Sequence, residues 1–135
     1  MANRIYVSRP IDGRDSSEIY DIINRARNDF PSPSFEVIDP TSIPFGRARQ
    51  NHNQMVPAQL DLMRTCDVIL ADMSLPNHTY IGCVAELVYA RSYSLYSVVF
   101  VGSNRIGHRP WLQHHADQIE TSWEGVVQCI HGRDL

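Results

Sequence analysis

Two rhythms of apolar positions alternate along the chain. Residues 4–7 (Arg-Ile-Tyr-Val) are short and β-branched and predict a first strand. Behind them, Ile19, Ile22, Ile23 and Ala26 recur at helical spacing, with Ser16 or Ser17 suited to cap the helix and Pro31 and Pro33 to end it. Residues 35–38 alternate as a second strand, closed by Asp39-Pro40. Residues 41–54 form a long polar stretch, read as a loop of the length that often carries function. Pro57 then suits the first turn of a helix bearing Leu60, Leu62 and Met63.

The second half repeats the pattern. Residues 67–71 (Asp-Val-Ile-Leu-Ala) are almost continuously apolar, as a central parallel strand buried on both faces would be. Residues 72–79 form a loop. Residues 82–93 read as a helix, with Val84, Leu87, Val88 and Arg91 at helical spacing. A buried strand at 97–101, a short one at 118–121 and a helix capped by Ser122 complete the order. Strands alternating with helices predict one α/β domain over residues 1–135. Its architecture is a doubly wound, mostly parallel five-stranded sheet, Rossmann-like, with helices on both faces. Such sheets bind ligands beyond the C-terminal ends of their strands. That rule selects residues 8–14, 39–53 and 72–86.

Composition narrows the classes. A net charge of -3 argues against a partner that is a nucleic-acid polymer. No apolar run approaches the ~20 residues that span a membrane, and the start of the chain reads as a strand rather than a targeting signal. The three cysteines, Cys66, Cys83 and Cys129, lack metal-knuckle spacing and read as reduced and buried, which suits a cytoplasmic protein. His108, His114 and His115 have no coherent metal spacing and read as surface residues. Trp111 and Trp123 read as packing anchors. Neither a metal nor an organic cofactor is implied.

Three constellations carry candidate chemistry. Ser8, Arg9, Pro10, Gly13 and Arg14 form either an anion-binding loop or a plain turn before a helix; no dinucleotide or P-loop motif is present. Asp67 reads as a junction residue at the far end of the sheet, and Asp61, on the preceding helix, faces either solvent or the site. Glu86 lies about one turn into a helix behind a Gly-containing loop. It is either a partner of the helix dipole or an ionised carboxylate competent as a nucleophile.

Taken together, these residues resemble the nucleoside 2-deoxyribosyltransferase superfamily, which includes nucleoside 5'-monophosphate N-glycosidases. The resemblance rests on Ile5-Tyr6-Val7-Ser8-Arg9-Pro10, on Asp39-Pro40, and on Asp61 six residues before Asp67 with Val-Ile-Leu-Ala-Asp72 following. Gly82-Cys83-Val84-Ala85-Glu86-Leu87 is similar to the family's Gly-Thr-x-x-Glu-[Ile/Leu]. It implies an enzyme that cleaves and transfers the N-glycosidic bond of (2'-deoxy)nucleosides through a covalent glycosyl-Glu86 intermediate. Tyr6 would orient Glu86, and Asp61 would bind or protonate the leaving base. Ser8, Arg9, Pro10, Arg14, Asp39, Asp72, Asn77 and Gly82 would bind substrate.

The implied partner is a small nucleoside or nucleotide. The resemblance also implies a homodimer or higher oligomer, with the helix bearing Leu87, Tyr89 and Tyr93 as a contact. The acid that many members carry before the Gly-Thr motif is missing from Pro76-Asn77-His78-Thr79-Tyr80, where Asn77, His78 or Asp72 would stand in. Cys83 replaces the family's usual Thr, and the C-terminal residues that complete a neighbour's site in the transferases are absent. The Ser- and Arg-bearing first loop is similar to that of the monophosphate hydrolases, the alternative activity. A non-catalytic nucleotide sensor is a further alternative.

Overall fold

The two rhythms resolve into five strands and five helices in a computed structural model that describes residues 2–11, 14–42 and 51–133. In chain order these are β1 (Asn3–Ser8), α1 (Ser16–Asp29), β2 (Phe35–Ile38), α2 (His52–Met63), β3 (Val68–Asp72), α3 (Ile81–Ser92), β4 (Tyr96–Phe100), α4 (Pro110–His115), β5 (Gln118–Glu120) and α5 (Trp123–His131). The strand order is β2-β1-β3-β4-β5, and every pairing is parallel. The expected α/β sheet is therefore present, and it is wholly parallel.

Side chains alternate across the sheet with the strand period of two. Ile5 and Val7 of β1 pack with α1 and α5, together with Ile22, Ile23, Val126 and Ile130. Tyr6 points to the opposite layer, where it joins Met63 of α2, Cys83 and Leu87 of α3 and Leu112 of α4. Ser8 shares the parity of Tyr6 and so faces α3. The strand order reverses between β1 and β3, and the C-terminal ends of these strands open the crevice where doubly wound sheets bind ligands. No helix among the described residues is long and apolar enough to cross a membrane.

Several details differ from the sequence reading. Asp15, not Ser16 or Ser17, caps α1: its carboxylate accepts from the Glu18 amide at 2.9 Å. Ser122 does cap α5, accepting from the Gly125 amide at 3.0 Å. Helix α2 begins at His52, so Pro57 lies inside it. The ring removes one amide donor, and the carbonyl left without it belongs to Asn53, which is exposed to water. Residues 52–54 thus leave the expected 41–54 loop, and residues 43–50 lie outside those described.

Trp123 is buried as expected, but Trp111 is 65% exposed and His115 is buried. The reason is geometric: in the six-residue α4, Leu112 and His115, three apart, take the inward face and leave Trp111 outside. Cys66 and Cys83 are buried free thiols, whereas Cys129 is only half-buried. Leu87 lies in the core, so it offers no surface to a partner. Asp67 sits at the far end of the sheet as expected, where its carboxylate accepts from the Arg4 amide at 2.8 Å.

Candidate active site

The C-terminal end of β1 and the first two turns of α3 bring four polar side chains together. Tyr6 and Ser8, two apart on one face of β1, both reach Glu86. The Tyr6 hydroxyl donates to Glu86 Oε2, and Ser8 Oγ donates to Oε1 at 3.0 Å. Each carboxylate oxygen therefore has one protein donor. On α3, Gly82, Cys83 and Glu86 share one helical face and line a cavity of about 490 Å3. Glu86 is half-buried, packed on one side against β1 and open to the cavity on the other.

Burial shifts the titration of this cluster. Glu86 is raised above the ordinary carboxylate range by burial, partly opposed by the Tyr6 and Ser8 hydrogen bonds and the Arg9 charge. Tyr6 is raised by burial and by the Glu86 charge, so its hydroxyl remains a donor at all physiological pH. Cys83 is pushed up to about 12, chiefly by burial, and remains a thiol. The sulfur of this cluster is therefore held in its weakly nucleophilic thiol form beside an ionisable carboxylate.

Arg9 follows β1 with its side chain wholly buried. Its Nε donates to the Ile19 carbonyl at 2.5 Å and Nη1 to Asp39 Oδ1 at 3.0 Å, while Nη2 has no hydrogen-bond partner. Asp39 also accepts from the Thr41 amide at 2.9 Å and the Thr41 hydroxyl at 2.7 Å. Burial raises its pKa, but the Thr41 hydrogen bonds and the Arg9 charge outweigh that effect and hold it below the ordinary value. Arg9 lines the cavity with Pro10, Pro40 and Thr41. The N-terminus of α3 adds amides without a side-chain cap, behind Tyr80 in the left-handed region at φ 54°.

The structure gathers some sequence candidates and leaves others out. Tyr6, Ser8, Arg9, Pro10, Gly82 and Glu86 meet at the cavity or its wall. Asp39 acts from behind, holding Arg9. Arg14 donates to the Pro10 carbonyl at 3.1 Å and so braces the β1–α1 loop. Asp72 accepts from the Ser74 amide and hydroxyl at 3.1 and 2.6 Å, which turns its carboxylate to its own loop. Asn77 is an exposed turn residue at φ 63°.

Asp61 is not brought to the site. It is exposed and lies 3.5 Å from Arg64. Met55 and Gln59, four apart on α2, line the cavity, and a residue two positions beyond Gln59 points about 200° around the helix axis. Gln59, Thr41, Tyr80 and Cys83 were missed as cavity residues. Only the helical phase of α2 could have signalled Gln59, once it was known which face of the helix turns inward. Among the described residues no group of three or more His, Cys, Asp or Glu could hold a metal.

No family model and no curated protein matches this sequence. Solved structures do. A 2-deoxyribosyltransferase from Leishmania mexicana superposes with a TM-score of 0.70 at 18% identity, covering 98% of this chain and 99% of that one. The 2-deoxyribosyltransferase of Bacillus psychrosaccharolyticus gives 0.69 at 13% identity, with 92% and 90% covered. A CMP N-glycosidase from Clostridium botulinum gives 0.60 at 13% identity, with 96% and 98% covered. The chain has the fold of these proteins. At such identities the likeness is one of backbone architecture over nearly the whole length, and the chemistry must be argued from the side chains of this chain.

Proposed function

We propose that this protein breaks the N-glycosidic bond of a nucleoside or nucleotide, with Glu86 as the nucleophile. The observation that carries the reading is the Glu86 carboxylate, held at one oxygen by Tyr6 and at the other by Ser8 and facing a cavity of ligand size. In the first step a Glu86 oxygen bonds to C1' while the C1'–N bond breaks and the base leaves with the bonding pair. In the second, water or another base attacks C1' from the face the first base vacated and releases Glu86, with overall retention. The transition state carries positive charge on the sugar, which the adjacent carboxylate stabilises. Base exchange and hydrolysis are two fates of one intermediate. The fold shared with 2-deoxyribosyltransferases and a CMP N-glycosidase supports this reading.

A 5'-monophosphate substrate is favoured by one observation. The Arg9 guanidinium is buried with Nη2 unpartnered, and Arg9 and the uncapped N-terminus of α3 line the same cavity. Together they form a donor set suited to phosphate oxygens. We also read the outer face of α3, where Ile81, Val88 and Tyr89 are exposed and Ile81 borders the cavity, as a contact between copies of the chain.

The test is incubation with deoxyribonucleosides and their 5'-monophosphates, with and without a second base, followed by chromatography. A new nucleoside that appears only with added base identifies exchange. Free base and sugar phosphate from monophosphates identify hydrolysis. No product with any substrate, or unchanged turnover in Glu86→Ala, sinks the enzyme reading.

A further inference from the structure

The leaving base needs a proton, because a nucleobase anion departs poorly. Few groups can supply it. Among the described residues the titratable side chains lining the Glu86 cavity are Arg9 from the loop after β1, Cys83 and Glu86 from α3, and His78 and Tyr80 from the loop before α3. Helix α2 contributes Met55 and Gln59 to the wall, neither of which titrates, and its Asp61 points to solvent.

Four of the five are otherwise committed. Glu86 is the nucleophile in the proposed reaction and receives hydrogen bonds at both oxygens. Arg9 remains charged at all working pH values. The Tyr80 hydroxyl donates to the Leu75 carbonyl, and burial pushes its pKa up to about 12. The Cys83 thiol is buried in the wall behind Glu86. His78 is different. It is half-buried at the cavity edge, its ring 6.0 Å from that of Tyr80, and imidazole is the side chain whose unperturbed titration lies near neutrality.

On this basis, and resting on the proposed glycosidic cleavage, we propose that His78 is the catalytic residue that protonates the departing base. The proton passes from the imidazolium to a ring nitrogen or carbonyl oxygen of the base as the C1'–N pair moves onto the base and Glu86 bonds to C1'. His78 is left neutral. In the second step it takes a proton from the attacking water or incoming base, which restores the imidazolium. The substrate class follows from this chemistry. It is a nucleoside or nucleotide whose base has a protonatable nitrogen or carbonyl oxygen near the glycosidic bond, such as adenine, guanine or cytosine.

The experiment compares wild type, His78→Ala and His78→Gln on a natural deoxynucleoside 5'-monophosphate and on the matching 4-nitrophenyl 2-deoxyriboside 5-phosphate, whose leaving group needs no proton. If His78 is the acid, both variants lose roughly 10²- to 10⁴-fold in kcat on the natural base and stay within about threefold of wild type on the nitrophenyl substrate. The alkaline limb of the natural-substrate pH profile also disappears. Equal losses on both substrates, no loss on either, or an alkaline limb that persists in His78→Ala would overturn the assignment while leaving Glu86 in place. Absence of Glu86-dependent turnover in wild type of every deoxyribonucleoside and 5'-monophosphate offered would instead remove the underlying glycosidic reading.

Discussion

The Tyr6 hydroxyl donates to Glu86 across eighty residues of sequence. Ser8, two residues further along β1, occupies the other carboxylate oxygen. One strand face thus sets both the orientation and the ionisation of a carboxylate on a neighbouring helix. Because burial raises the Glu86 pKa and these hydrogen bonds lower it, the donors act against desolvation.

Removing Tyr6's hydroxyl therefore shifts a pH profile. In Tyr6→Phe the Glu86 pKa rises further, and the acid limb of kcat/KM moves to higher pH. A hydrogen bond to a charged group is worth roughly 1.5–3 kcal/mol, so neutral-pH activity falls about 10- to 100-fold and recovers in part at alkaline pH. A profile that drops uniformly without moving would show that Tyr6 does not tune the carboxylate.

Glu86 also sets a stability trade-off. Its folded pKa lies above the unfolded value of 4.5, so the folded state holds more protons and stability falls as pH rises from 4.5 through the folded pKa. Glu86→Gln removes that ionisation. Its Tm should exceed that of wild type at pH 8, and the difference should shrink as the pH is lowered towards 4. Activity should be lost in the same variant. Thermal unfolding across pH would check this, and an equal or lower Tm at pH 8 would count against it.

The Arg9–Asp39 pair behaves with the opposite sign. Asp39 is held below its unfolded value of 3.8, so its contribution is present above that pH and is lost as pH falls through the folded value. Asp39→Asn leaves the buried guanidinium uncompensated and should destabilise the fold by about 3–5 kcal/mol at neutral pH, measured by urea denaturation. Because Asp39 also positions Arg9, the milder Arg9→Lys variant separates function from folding. It should raise KM for a 5'-monophosphate more than for the parent nucleoside.

Asp61 makes a simple contrast. It is exposed and paired with Arg64 on the far side of α2 from Gln59. Asp61→Asn should leave kcat and KM within about twofold of wild type, as surface substitutions away from a site usually do. A hundredfold loss would mean that α2 presents a different face during turnover.

Much of this protein is legible in one dimension. Continuous apolar runs at residues 68–71 and 98–101 and the helical spacing of Ile19, Ile22, Ile23 and Ala26 determined a parallel sheet covered on both faces, because burial on one or two sides leaves a period in the sequence. The rule that ligands sit at strand C-termini then selected Ser8, Arg9 and Glu86, and the family resemblance added Tyr6. The tertiary structure decided which polar residues actually meet. Asp61 and Gln59 are two residues apart, yet only Gln59 faces the cavity, and helical phase carries no mark of which direction is inward when most of α2 is partly exposed. Asp39 reads as a substrate ligand by position and proves to be the anchor of Arg9, because partners thirty residues apart are chosen by strand adjacency rather than by spacing. Periodicity records how much of a side chain is buried; only the packed chain records against what.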